Sequence, residues 1–146
     1  MPSKILLDTN ILLDIALPGR PDHESALLLA NEIAYNAGLT AYMAATSAKD
    51  VYYVLGRGGN EKAARDYLGQ MFDFFELVAV DADICRAAYL LDEPDFEDGI
   101  IRACAEQIDA DCIISRDESA YRRSTIRRMS AREYVDLFCD VESVDL

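Results

Sequence analysis

Four short apolar runs alternate with segments of helical periodicity, and this alternation narrows the folds open to the chain. "KILLD" (4–8) reads as a buried parallel strand, and "LTAYMA" (39–44), "ELVAV" (76–80) and "CIIS" (112–115) as three further strands. Between them lie "TNILLDIAL" (9–17), stopped by "PGRP", and a stretch over 24–37 where Ala26, Ala30, Ile33, Ala34 and Ala37 recur at helical spacing before Gly38. "SAKDVYYVLGR" follows strand two, with Gly58 and Gly59 as its stop. Residues 61–75 carry Ala64, Tyr67, Leu68, Met71 and Phe75 on one helical face, and helices over 82–92 and 97–109 are separated by Pro94. A fifth strand is expected near 125–129, before a last helix, "AREYVDLF". Strands joined through helices imply an α/β fold with a mostly parallel sheet of four or five strands covered on both faces.

The chain has 146 residues, which suits one domain over 1–146, with no linker, repeat or low-complexity segment. Its last residues, "DVESVDL", are expected to be loosely held. No apolar run approaches the ~20 residues of a membrane span. The start "MPSKILLDTN" lacks a signal-peptide pattern, so a cytoplasmic protein is expected. Cysteines 85, 104, 112 and 139 form no CxxC pair and His23 is the only histidine, which argues against a Cys/His zinc site.

Acids number 27 against 14 Lys and Arg, a formal net charge of -13. That opposes non-specific nucleic-acid binding, which depends on phosphate neutralisation. A nucleic-acid enzyme whose acids hold cations stays open, provided a local basic surface exists; Arg122, Arg123, Arg127, Arg128 and Arg132 supply a candidate.

The acids fall at particular places. Asp8 ends strand one, Asp117 follows strand four after Arg116, and Asp50 is expected in the first turn of the helix after strand two. Asp95, Glu97 and Asp98 cluster in "PDFEDGII" ahead of an apolar run. Each has a structural reading. Asp8 and Asp95 serve as helix caps, Ser47 with Asp50 resembles a capping box, and Ser115 with Glu118 suggests another. Asp50 also shares a helical face with Val51 and Val54, which points it inward. Yet one cap needs one acid, and four acidic sets at one sheet edge repel without a counter-ion. Carboxylates without histidine or thiolate are hard oxygen ligands suited to Mg²⁺ or Mn²⁺.

"LLDTNILLD", "TSAKDVYYVL" and "DFEDGIIRACAEQIDADCIISRD" together resemble a PIN-domain ribonuclease, over residues 4 to 138, in the bacterial branch that includes VapC-like toxins. The resemblance implies a three-layer α/β/α fold and metal-dependent cleavage of RNA phosphodiesters, leaving a 5′-phosphate and a 3′-hydroxyl. It implies Asp8, Asp98 and Asp117 as metal-holding acids, with Asp50 or Glu97 helping. Asn10 and Ser47 fall where the family has polar site residues. The family's second acid is usually Glu, and this chain has the shorter Asp50, so Glu97 is the candidate to compensate. Implied partners are RNA, contacted by Arg116 and the later arginines, a small antitoxin protein and a second copy of the chain. A PIN fold kept for binding is the first rival. A phosphoryl-accepting signalling domain is weaker, because such receivers use a late Lys and here none follows Lys62.

Overall fold

The computed structural model describes residues 1–139. The chain runs β1 (Lys4–Leu7), α1 (Thr9–Ala16), α2 (His23–Tyr35), β2 (Thr40–Ala44), α3 (Ala45–Gly56), α4 (Glu61–Phe74), β3 (Phe75–Val78), α5 (Ala82–Leu90), α6 (Phe96–Gln107), β4 (Cys112–Ile114), β5 (Arg127–Met129) and α7 (Ala131–Phe138). The strands form one sheet in the order β3-β2-β1-β4-β5, and every neighbouring pair is parallel. The expected α/β architecture is present, with all five strands.

Central β1 explains the layering. Ile5 pairs with Ala41 on one side and Cys112 on the other. Successive side chains point to opposite faces. Ile5 and Leu7 therefore enter a core shared with α1, α2, α3, α4 and α7, while Leu6 enters a second core built by α5 and α6. A strand covered on both faces has no polar side, which is why "ILL" is continuous. The α5–α6 layer packs closely at Gly99, where a Cβ would stand 2.8 Å from the carbonyl oxygen of Ala88.

The winding direction changes beside β1. The first crossovers step outward from β1 to β2 to β3, and α5 with α6 then return the chain to β4 on the other side of β1. Such a switch point opens a crevice beyond the carboxyl ends of the two strands. Asp8 follows one of them and Ser115 the other.

Two cap expectations are corrected. Ser47 and Asp50 form no capping box, because β2 passes into α3 without a loop and the N-cap is Ala44, which has no side-chain cap bond. Ser47 thus sits in the first turn, buried, with Asp50 beyond it. Ser115 and Glu118 form none either, since 115–126 is a series of turns. The capping box lies at Ser130 and Glu133, opening α7. Asp95 caps α6 as expected, accepting from the Asp98 N–H. The segment "DVESVDL" lies outside the described residues. Among the described residues, no helix is long and apolar enough to cross a membrane.

Candidate active site

Asp8 is the most constrained acid. Its N–H donates to the Ile114 carbonyl, joining the ends of β1 and β4. Its Oδ1 accepts from Thr9 N–H at 2.7 Å. Its Oδ2 accepts from the Ser115 hydroxyl at 2.8 Å and the Tyr121 hydroxyl at 2.7 Å. Burial is the largest influence on its carboxyl and raises its pKa, against the lowering effect of these donors.

The Ser115 hydroxyl gathers the strand ends, accepting from Asp117 N–H at 3.1 Å and from Asn10 Nδ2 at 3.3 Å. Asn10 Oδ1 accepts in turn from Arg116 N–H. Asn10 is thus brought to the site, tying α1 to the β4 end. Ser47 is brought there too, its hydroxyl sharing a 2.8 Å hydrogen bond with that of Thr9.

Asp98 arrives in the first turn of α6. The Tyr121 hydroxyl stands 3.4 Å from its Oδ1 and 2.7 Å from Asp8 Oδ2, between the two acids. Desolvation, then the charges of Asp95, Asp8, Asp117 and Glu93, push its carboxyl up to about 7. Asp117 is held in its own turn, its Oδ1 accepting from the Ser119 hydroxyl at 2.7 Å and Ser119 N–H at 3.0 Å. The Ser119 hydroxyl is the main reason its pKa is lowered.

A cavity of about 260 Å³ opens beside these groups, lined among others by Asp8, Ser47, Asp50, Phe96, Glu97 and Asp98. Glu97 is an exposed lining residue. Asp50 is half-buried rather than turned into the core with Val51, and its Oδ1 lies 3.2 Å from Lys49 Nζ. Arg116, expected to meet substrate, is spent elsewhere: its Nε lies 2.8 Å from Asp14 Oδ2 and 3.5 Å from Asp22 Oδ2. The later arginines are also largely engaged. Arg128 donates to the Ser115 carbonyl, Arg122 to the Glu118 carbonyl, Arg123 pairs with Asp92 and Arg132 with Asp136. His23 starts α2, with its Nδ1 2.7 Å from the Asp14 carbonyl oxygen.

Sequence reasoning passed over two groups. Asp14 is fully buried between Arg20, 2.9 Å away, and Arg116. An acid inside the apolar run "ILLDIAL" was its signal. Tyr121 is 2% exposed, and its backbone adopts φ 69°. A lone aromatic within the polar stretch "RDESAYRRS" marks an anchor, since a tyrosine couples an apolar ring to a hydroxyl that needs a partner.

The donors available to a cation are all carboxylate and hydroxyl oxygens, the chemistry of Mg²⁺ and Mn²⁺. A cation would also offset the burial and the neighbouring negative charges that raise Asp98. As placed, no three His, Cys, Asp or Glu side chains among the described residues form a group able to hold a metal ion. The donor chemistry of the residues present fits such a cation.

A parallel α/β sheet with Asp8 and Asp98 beside the crevice at its switch point and Asp117 in the turn after β4 defines an acidic-site α/β domain. A family model described as the PIN domain matches residues 4–119, and the chain belongs to that family. Solved structures agree on the fold. The Mycobacterium tuberculosis toxin VapC20, described as cleaving the sarcin–ricin loop, is 17% identical, with a TM-score of 0.64 over 77% of this chain and 89% of that one. FitAcB from Neisseria gonorrhoeae is 18% identical, with a TM-score of 0.65 over 88% and 98%. A toxin–antitoxin complex from Klebsiella pneumoniae is 20% identical, with a TM-score of 0.63 over 87% and 97%. No curated protein matches the chain by sequence.

Proposed function

We propose that this protein is a metal-dependent endoribonuclease that hydrolyses RNA phosphodiesters, acting as the toxin of a toxin–antitoxin pair. The observation that carries the reading is the approach of Asp8 and Asp98 to one hydroxyl at the switch point, with Asp98 driven up to about 7 by desolvation and by acidic neighbours that include Asp117. Perturbed carboxyls of this kind concentrate at functional sites. Membership of the PIN domain family and likeness to toxin structures support it.

Asp8, Asp98 and Asp117 would hold Mg²⁺ or Mn²⁺, with Glu97 and Asp50 on the cavity wall as further carboxylates. A divalent cation bound there supplies an activated water and neutralises charge on the phosphate. The chain's own task is placement. Ser115 and Thr9 fix Asp8 through its hydrogen bonds, Ser119 fixes Asp117, and Asp95 orders the turn that presents Asp98. Phe96, half-exposed on the cavity wall, offers a ring face to a base of the RNA.

The partner expected of a toxin is a small antitoxin protein. An apolar groove lined by Ile15, Ala34, Tyr35, Tyr67, Met71 and Phe74 suits an amphipathic helix from it. Exposed Tyr89 and Leu90 on α5 suit a second copy of the chain. One observation favours the rival reading of a binding protein with weak hydrolysis: Asp50, shorter than the family's usual Glu, is paired with Lys49.

The test is cleavage of single-stranded RNA by the purified protein with Mg²⁺ or Mn²⁺ and with EDTA. Activity should need the cation, and Asp8→Asn should lower turnover by at least about a hundredfold while the circular dichroism stays native. Undiminished cleavage in EDTA rejects the metal mechanism. No cleavage under any condition favours the binding role.

A further inference from the structure

At the crevice, Asp8 and Asp98 flank one buried hydroxyl. They come from separate elements, the end of β1 and the first turn of α6. The Tyr121 hydroxyl contacts both, at 2.7 Å and 3.4 Å. We propose that this hydroxyl is a built-in stand-in for the cation, occupying Asp8 Oδ2 and the gap to Asp98, and that a divalent cation binds by displacing it. The inference rests on the metal-dependent reading above.

Three features make this more than core packing. The hydroxyl reaches the two acids at the cost of an unusual backbone. Tyr121 adopts the left-handed region at φ 69°, which a bulky residue occupies only when its surroundings impose it. Next, the loop is pinned from outside the crevice. Tyr121 N–H donates to Glu93 Oε1 at 2.8 Å, and Glu93, its side chain 3% exposed, accepts from Arg102 Nη1 at 3.0 Å. Arg102 also donates to the Arg123 carbonyl, so the loop is held at Tyr121 and again two residues beyond it. Finally, the hydroxyl is dispensable for that pinning, which runs through backbone and through Glu93. Phenylalanine would fill the same space and leave the same loop anchored, so the hydroxyl's own partners are the two acids.

A hydroxyl satisfies an acid pair only in part. It has one proton to give, and it adds no positive charge. A divalent cation offers more to the same oxygens but must first take them from Tyr121. The stand-in therefore weakens cation binding and keeps the acids spaced until a cation arrives.

The test compares full-length wild type with Tyr121→Phe by calorimetric titration with MnCl₂ at neutral pH, without RNA. Losing a hydrogen bond to a carboxylate that the cation must otherwise break should tighten Mn²⁺ binding by about tenfold. Binding in the variant that is equal to or weaker than in wild type overturns the proposal and leaves the metal-dependent reading standing. Absence of Mn²⁺ binding in both proteins overturns the two together. Should Tyr121→Phe not fold, the wild type alone decides, through its tyrosine ultraviolet difference spectrum over the same titration. Release of a buried hydroxyl from a carboxylate should change that spectrum in step with binding, and a flat spectrum at saturation overturns the proposal.

Discussion

Asp98 carries the clearest consequence of desolvating a carboxyl among other acids at one crevice. Its carboxyl takes up a proton at about 7 in the fold, against 3.8 ordinarily. Between those values the folded protein holds more protons than the unfolded chain, so stability falls as pH rises across the window and levels off above it. Asp8, raised chiefly by burial, works in the same direction. Asp117 works oppositely: lowered mainly by Ser119, it contributes stability at neutral pH that is lost as pH falls through its folded value. The melting midpoint in EDTA should therefore decline from mildly acidic to neutral pH, and Asp98→Asn should flatten the decline and raise the midpoint at pH 8. Thermal denaturation followed by circular dichroism checks both, and a wild-type midpoint that climbs steadily toward pH 8 would contradict the assignment. Asp14 shows the other fate of a buried acid. It too is desolvated, but Arg20 and Arg116 stand beside it, and Arg116 is thereby drawn away from the phosphate role expected of it.

Helix α6 joins the core to the crevice. Asp95 caps it, and the positive end of its dipole tolerates Glu97 and Asp98 in the first turn. Gly99 comes next, where α6 lies against the backbone of Ala88 in α5. Alanine favours a helix by about 1 kcal/mol over glycine, yet here its methyl would meet a carbonyl oxygen 2.8 Å away. Overpacking wins: Gly99→Ala should destabilise the protein by about 1–3 kcal/mol and shift the turn that presents Asp98. Urea denaturation measures the cost, and a more stable variant would mean that α5 moves aside freely. Helix α3 makes the complementary point. It starts at Ala45 without a side-chain cap, so the Ser47 hydroxyl is free to meet Thr9 at the crevice instead of serving its own helix.

Across the molecule the net charge is -13. Self-repulsion at that charge disfavours the compact state, and salt of physiological strength screens it beyond about 8 Å. Sodium chloride should raise the metal-free melting midpoint at pH 8; a salt-independent midpoint would mean that local ion pairs already offset the repulsion. Much of this architecture was legible in the chain itself. A strand buried on both faces must be apolar throughout, so "KILL", "TAYMA" and "CII" announced the parallel sheet, and acids following such strands announced the crevice. Asp95 was legible as a cap because capping is local, settled within three residues. The contacts that organise the crevice are not local. Tyr121 meets Asp8 across 113 positions of sequence, and Ser115 meets it across 107. Periodicity carries no signal for such pairs; they exist because β1 and β4 lie side by side and the turn after β4 folds back over α6. The chain by itself determined which segments become strands and helices and which residue types reach the crevice, since burial on a sheet and helix capping are short-range requirements. Only the tertiary structure decided which of those residues are free: Arg116 engaged by Asp14, and Tyr121 set between two acids, because ion pairs and buried hydrogen bonds between distant residues are allotted by proximity in space.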